Sequence, residues 1–235
     1  MIISIGIGPG GIDYVTRRGE RLIREAEVVT GFQAVLDFVA ELIKPDAEVI
    51  PLTYKNQTDQ LEVAAERHHD GKRVVAVFMG DLHFSGWQMQ ERVEKACGHR
   101  VDTVPGISSA QIMASRTRVC FDETTFVTFH RRGDLTPFKN HLVQVLKDGR
   151  NAIVIPHPWD FMPDRICGWL VEQGIAPDHQ VEVWENLTAD EAEWKGTLGE
   201  CDNEFSDMSI MLIRNKDGFP DVFEAERVDE EQGTK

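Results

Sequence analysis

Ile2-Ile3-Ser4-Ile5-Gly6-Ile7-Gly8-Pro9-Gly10-Gly11 is a short apolar strand that runs straight into a glycine-rich turn. Gly6, Gly8 and Gly11 have the spacing G-x-G-x-x-G. Glycine there lets the backbone turn sharply and approach a ligand, because no Cβ stands in the way. Taken alone, the spacing is that of a dinucleotide-binding strand–helix turn. Pro9 argues against that reading. In the dinucleotide turn a helix opens at once and its free N–H groups hold a pyrophosphate; Pro9 has no N–H and fixes φ. Gly10 and Gly11 then delay the helix until after Thr16. The ribose-binding acid expected about 20 residues on is also missing. The next strand, predicted at Glu27–Thr30, ends Thr30-Gly31-Phe32, and Glu25 and Glu27 lie before its end. The turn therefore reads as a nucleotide-type loop that does not suit nicotinamide or flavin. A tight turn with no ligand is the plainer alternative.

The 235 residues suffice for one large or two small domains with ample core. No apolar run approaches the ~20 residues of a membrane span, and the apolar start lacks the basic leader of a signal peptide. Cys97, Cys120, Cys167 and Cys201 are far apart with no C-x-x-C, so reduced, mostly buried thiols in a cytoplasmic protein are expected. The net charge of −15 argues against a nucleic-acid partner. Residues 1–158 carry 19 Lys/Arg against 20 Asp/Glu, and residues 159–235 carry 6 against 20. The excess negative charge thus sits in the last third, partly in an acidic tail over residues 216–235 that reads as flexible. The balanced part keeps basic clusters that suit an anionic ligand: Arg17, Arg18, Arg21 and Arg24, then Arg116, Arg118, Arg131 and Arg132.

Strands are predicted at Ile2–Ile7, Glu27–Thr30, Glu48–Ile50, Arg73–Phe78 and Val101–Val104, with helices between them at Arg17–Glu25, Phe32–Leu42, Gln57–His68 and Ser85–Ala96. This alternation predicts a mainly parallel sheet with right-handed crossovers. A second set follows: strands at Thr125–Phe129, Ala152–Ile155, Val181–Trp184, Glu193–Leu198 and Ser209–Ile213, helices at Pro137–Leu146 and Phe161–Gln173. Its last strands have no helix between them, so this sheet should be mixed. The expected architecture is two α/β domains, residues 1–117 and 118–215, with a ligand cleft between them.

Ligands bind beyond the C-terminal ends of parallel strands. Three glycine-bearing loops fall there: Gly8-Pro9-Gly10-Gly11, Met79-Gly80-Asp81-Leu82-His83-Phe84, and Pro105-Gly106-Ile107-Ser108-Ser109-Ala110-Gln111. Together they point to one ligand held largely by backbone. Asp81 is placed to face a cation or accept from an amine or hydroxyl, or else to cap the following helix. Ser108 and Ser109 open the next helix, and capping accounts for one of them. His130, beside Arg131 and Arg132 at a strand end, is placed to meet an anionic substrate. No Ser/His/Asp or Cys/His nucleophilic set is evident. No metal site is expected either: His68 and His69 are adjacent and should diverge on their helix.

Gly6-Ile7-Gly8-Pro9-Gly10, then Gly80-Asp81, then Pro105-Gly106-Ile107-Ser108-Ser109, in that order and spacing, resemble the tetrapyrrole methylase family over nearly the whole chain. The resemblance implies an S-adenosylmethionine-dependent methyltransferase of two α/β domains with the cofactor folded into the cleft. It places Gly8, Pro9, Gly80, Asp81, Phe84, Ser108, Ser109 and Pro156 at the cofactor. Within the family, Pro105–Gln111, the segment Phe129-His130-Arg131-Arg132, and Glu185-Asn186-Leu187-Thr188 with Glu191 are most similar to the branch acting on carbon 5 of cobalt-precorrin-7 or precorrin-6B in cobalamin synthesis. That branch implies a homodimer, with a separate enzyme for methylation at carbon 15 and decarboxylation. It makes His130 a candidate proton acceptor, and Arg116 and Arg131 anchors for substrate carboxylates. The chain departs from the family at Met79-Gly80-Asp81-Leu82, where S-G-D-P or G-G-D-P is usual, and at Arg131, where glycine is usual. Alternatives are methylation at another tetrapyrrole carbon, diphthine synthase (disfavoured by P-G-I-S-S-A-Q), an NAD(P)-dependent oxidoreductase and a non-catalytic tetrapyrrole-binding module.

Overall fold

The computed structural model describes residues 1–158 and 160–215, so the tail expected at 216–235 lies outside the described residues. Strands β1 (Ile2–Gly6), β2 (Val28–Phe32), β3 (Glu48–Leu52), β4 (Val74–Phe78) and β5 (Asp102–Val104) form one sheet in the order β3-β2-β4-β1-β5. Every pairing in it is parallel. Parallel neighbours require crossovers, and α1 (Arg17–Glu25), α2 (Gln33–Phe38), α3 (Gln57–His69), α4 (Leu82–Ser85) and α5 (Trp87–Cys97) lie in them. β1 and β4 are buried at every position, which is why both faces of each are apolar. One face of the sheet packs against Leu61, Ala65, Val93 and Cys97 of α3 and α5. The other packs against Ile23, Val35 and Leu36 of α1 and α2.

α1 starts after Thr16, whose hydroxyl accepts the Gly19 N–H at 3.1 Å as the helix cap. The helix expected over Phe32–Leu42 is broken: at Val39 the backbone leaves α geometry and a 3-10 turn follows at Ala40–Leu42. Among the described residues no helix is long and apolar enough to cross a membrane.

The second sheet contains β6 (Thr124–Thr128), β7 (Asn151–Ile155), β8 (Gln180–Glu185), β9 (Ala192–Thr197) and β10 (Ser209–Ile213), in the order β6-β7-β10-β8-β9. β6 and β7 are parallel, and the other pairings are antiparallel. α7 (Thr136–Lys147) and α8 (Pro163–Glu172) cover one face, where Leu142, Ile166 and Leu170 are fully buried. The other face packs against α6 (Ser109–Thr117), with Ala110 and Met113 set on Ile153, Ile210 and Leu212. α6 therefore follows the first sheet in sequence and packs on the second.

The histidine reading needs correction. The His68 and His69 rings are 5.1 Å apart, and the turn after α5 brings His99 within 2.8 Å of His68, Nε2 to Nε2. Both residues lie in the last turn of α3, and the third member is 30 residues away in sequence, out of reach of any spacing rule.

Candidate active site

The chain passes from β1 to one side of the first sheet, and from β4 it crosses to the other side at β5. That reversal sets the C-terminal ends of β1, β4 and β5 side by side, the position where open α/β sheets take ligands. The three glycine loops meet there. The Gly8 N–H donates to the Gly80 carbonyl at 3.2 Å, and the Gly80 N–H donates to the Gly8 carbonyl at 2.7 Å. The Gly106 N–H donates to Asp81 Oδ2 at 2.9 Å. A Cβ on Gly6 would lie 2.6 Å from the Gly80 oxygen and 2.7 Å from the Gly106 nitrogen, and one on Gly106 would strike the same carbonyl. Gly6 and Gly106 thus serve the packing of loop on loop. Gly80 differs: its φ is +61° and an added Cβ would meet nothing nearer than 3.9 Å, beside Ser108 and Ser109. A Cβ there would make ordinary van der Waals contact with the third loop, and it is the positive φ that favours glycine.

Asp81 is buried. Its Oδ1 accepts the His83 N–H at 2.8 Å, capping α4, while Oδ2 holds the third loop. The carboxylate therefore caps a helix and ties two loops at once. Ser108 caps α6: its Oγ accepts the Ala110 N–H at 3.2 Å, and its own N–H donates to Gln111 Oε1 at 2.7 Å. Ser109 occupies the first helical position and is half-buried. Pro9 is buried behind Gly8.

β7 and β8 both run antiparallel to β10, so β6, β7 and β8 end on one edge of the second sheet. That edge carries His130 and Arg131, Pro156 and His157, and Trp184. Pro156 is buried. His130 is exposed at this edge. Loss of hydration lowers its pKa below the ordinary histidine range, His157 lowers it further, and Asp207 opposes both. The Arg131 guanidinium lies 4.0 Å over the Phe138 ring, and Arg131 Nε and Trp184 Nε1 are buried with no protein partner. Orphaned buried donors are uncommon and suit a site built for a polar ligand.

Contacts between the two sheets' loops hold these edges together. The Gly11 N–H donates to Thr188 Oγ1 at 2.9 Å, and a Cβ on Gly11 would lie 2.7 Å from the Thr188 carbonyl oxygen. The Thr188 N–H donates to Glu191 Oε1 at 2.8 Å. Glu191 in turn pairs with Arg116 at 3.0 Å, and this guanidinium holds the Glu191 pKa down. Arg116, expected to face substrate, is thus tied to a carboxylate 75 residues away. Gln88 exchanges two hydrogen bonds with the Arg132 backbone, at 2.9 and 3.2 Å. Phe84 meets Phe126 edge to face, 5.1 Å between centroids. Gln88, His157, Trp184 and the Thr188 hydroxyl escaped the sequence reading of this site. Only the Glu185–Thr188 segment carried a signal, through its family resemblance.

The sequence pattern of the Tetrapyrrole (Corrin/Porphyrin) Methylases matches residues 1–202. A probable cobalt-precorrin-7 C(5)-methyltransferase of Methanocaldococcus jannaschii is 27% identical over 189 residues, covering 80% of this chain and 84% of that protein. Two solved structures share the fold. The methyltransferase CobJ superposes with a TM-score of 0.75 at 16% identity, covering 92% of this chain and 94% of that one. The precorrin-6Y methylase CbiE of Archaeoglobus fulgidus superposes with a TM-score of 0.68 at 22% identity, covering 92% and 98%.

Proposed function

The chain belongs to the tetrapyrrole (corrin/porphyrin) methylases, and from that membership we propose that it methylates carbon 5 of a corrin-pathway tetrapyrrole, cobalt-precorrin-7 or precorrin-6B, in cobalamin synthesis. It is an S-adenosylmethionine-dependent methyltransferase. The observation that carries the carbon-5 assignment is the match to the M. jannaschii protein across four fifths of both chains.

The residues present fit the cofactor. The three glycine loops are hydrogen-bonded together at one sheet edge, Phe84 adds an apolar side chain, and Arg131 Nε and Trp184 Nε1 are buried donors without a protein partner. The departure at Leu82 does not disturb the loop, because Leu82 is fully buried at the start of α4 and Asp81 fixes the backbone on both sides. Gly8, Pro9, Gly80, Asp81, Phe84, Ser108, Ser109 and Pro156 would hold it. When bound, S-adenosylmethionine supplies an already activated methyl group. The protein's part is then chiefly alignment, which can supply roughly 7–11 kcal/mol. Arg131 offers a charged donor to substrate carboxylates. His130 accepts the proton that the acceptor carbon loses.

A proton acceptor must be neutral to act. Because the His130 pKa is lowered, kcat/KM should stay level as pH falls through about 6.5 and decline only below it. His130→Asn should lower the rate by about 10²-fold or more and abolish that acid limb. An unchanged pH profile in the variant would remove His130 from the chemistry.

A second reading, methylation at a different tetrapyrrole carbon, is supported by the 24% identity to a cobalt-precorrin-4 C(11)-methyltransferase of M. jannaschii over 84% of this chain. Labelling decides between them. The protein is incubated with S-adenosylmethionine carrying a ¹³C methyl group and with cobalt-precorrin-7 or precorrin-6B, and the product is examined by NMR. Label at carbon 5 is the expected result. Label at another carbon selects the second reading, and an unlabelled tetrapyrrole overturns the carbon-5 assignment.

A further inference from the structure

A second cluster of chemistry-bearing side chains lies far from the glycine loops. α3 runs back along the parallel sheet, so its last turn, with His68 and His69, sits at the edge opposite Gly8, Gly80 and Gly106. His99 reaches the same place from the turn after α5. One nitrogen from each of the three rings can be chosen so that all lie within 4.8 Å of one another.

The other ring nitrogens are already engaged. His99 Nδ1 is 2.7 Å from the Arg100 carbonyl, and His69 Nε2 is 3.2 Å from the Cys97 carbonyl. A carbonyl oxygen only accepts, so those nitrogens carry the protons. His99 Nε2 and His69 Nδ1 are left with lone pairs. Imidazoles that bind metals are commonly fixed in this way, by a backbone carbonyl on the far nitrogen. His68 Nε2 shares one proton with His99 Nε2 across 2.8 Å, while His68 Nδ1 is buried without a partner.

We infer that His68, His69 and His99 form a binding site for one divalent transition-metal ion of the zinc class, separate from the methylation site. The ion takes the place of the proton between His68 and His99, and that proton passes to His68 Nδ1. Zinc–nitrogen bonds of ~2.0–2.1 Å put tetrahedral ligand atoms about 3.4 Å apart, so rotation of the side chains suffices to close the set. Three imidazoles leave a fourth position for water. His69 and His99 are exposed, which gives the ion a path in. All-nitrogen ligation selects zinc, nickel, cobalt or copper over magnesium or calcium. A bound ion would tie the last turn of α3 to the turn after α5, two helices that share one core.

The test uses the untagged full chain with zinc as probe and magnesium as the hard-cation control. One zinc per chain is expected by equilibrium dialysis. At free zinc 100 times Kd, the melting temperature should rise by roughly 5–10 °C. His99→Ala should weaken binding at least about 100-fold, and His69→Asn, at an exposed position, checks the result if His99→Ala unsettles the fold. Methylation should be unchanged in both. Failure to bind zinc more tightly than magnesium, or undiminished binding in both variants, overturns the inference.

Discussion

Gly106→Ala is expected to abolish most of the methylation activity and to lower the melting temperature, although it adds a single methyl group. That methyl would strike the Gly80 carbonyl and lie 2.6 Å from the Gly6 carbonyl carbon. Both neighbours are backbone, so no side chain can rotate away, and the third loop has to retreat from the first two. The retreat stretches the Gly106–Asp81 hydrogen bond and opens the edge on which Ser108 and Ser109 stand. Overpacking of this kind costs about 1–3 kcal/mol, or a drop of roughly 5–10 °C once the hydrogen bond weakens as well. A misplacement near 1 Å costs on the order of 10²-fold in rate, so kcat/KM should fall at least that far. Gly168→Ala is the matched control. It lies in α8 with nothing within 4 Å of the added atom, and should be neutral or slightly stabilising. Equal behaviour of the two variants would show that the loop contact does not set the site.

What could be read from the sequence follows the reach of each physical signal. Apolar runs and glycine punctuation are local, and they locate all ten strands of the two sheets and the edge where the three glycine loops meet. The start of α1 after Thr16 was legible for the same reason, and the cap that fixes it has its partner three residues away. The Gly11–Thr188 hydrogen bond spans 177 residues, and the Arg116–Glu191 pair 75. No spacing rule reaches so far, and the sequence reading of Arg116 as an anchor for substrate carboxylates could not include Glu191. α6 was ambiguous in another way: an apolar helix face shows that something covers it, not which of two sheets does. The glycines were legible as close-approach positions, but at Gly6, Gly11 and Gly106 the approaching group is the protein's own backbone.

Asp81 joins both kinds of signal, and its removal should have the second large effect. The sequence sets a helix cap against contact with a ligand, and the carboxylate caps α4 with one oxygen and holds the third loop with the other. Asp81→Ala leaves the part-buried His83 and Gly106 N–H groups without their acceptor. Hydrogen bonds to a charged group contribute about 1.5–3 kcal/mol each, so a loss of roughly 3–6 kcal/mol is expected. A typical domain has 5–15 kcal/mol of stability at its disposal, so the fold should persist, melting roughly 8–15 °C lower. Affinity for S-adenosylhomocysteine, measured by calorimetric titration below the new melting point, should fall at least about tenfold, because the second and third loops are no longer held together. Asp81→Asn separates the two contributions. Its amide oxygen can replace one acceptor, but its NH₂ then faces the other N–H, so one arm is restored and one is not. Intermediate stability with intermediate affinity would mean that Asp81 acts by holding the loops. Affinity lost entirely in Asp81→Asn at nearly native stability would place the carboxylate in direct contact with the cofactor. Undiminished affinity in a folded Asp81→Ala would leave it a helix cap and nothing more.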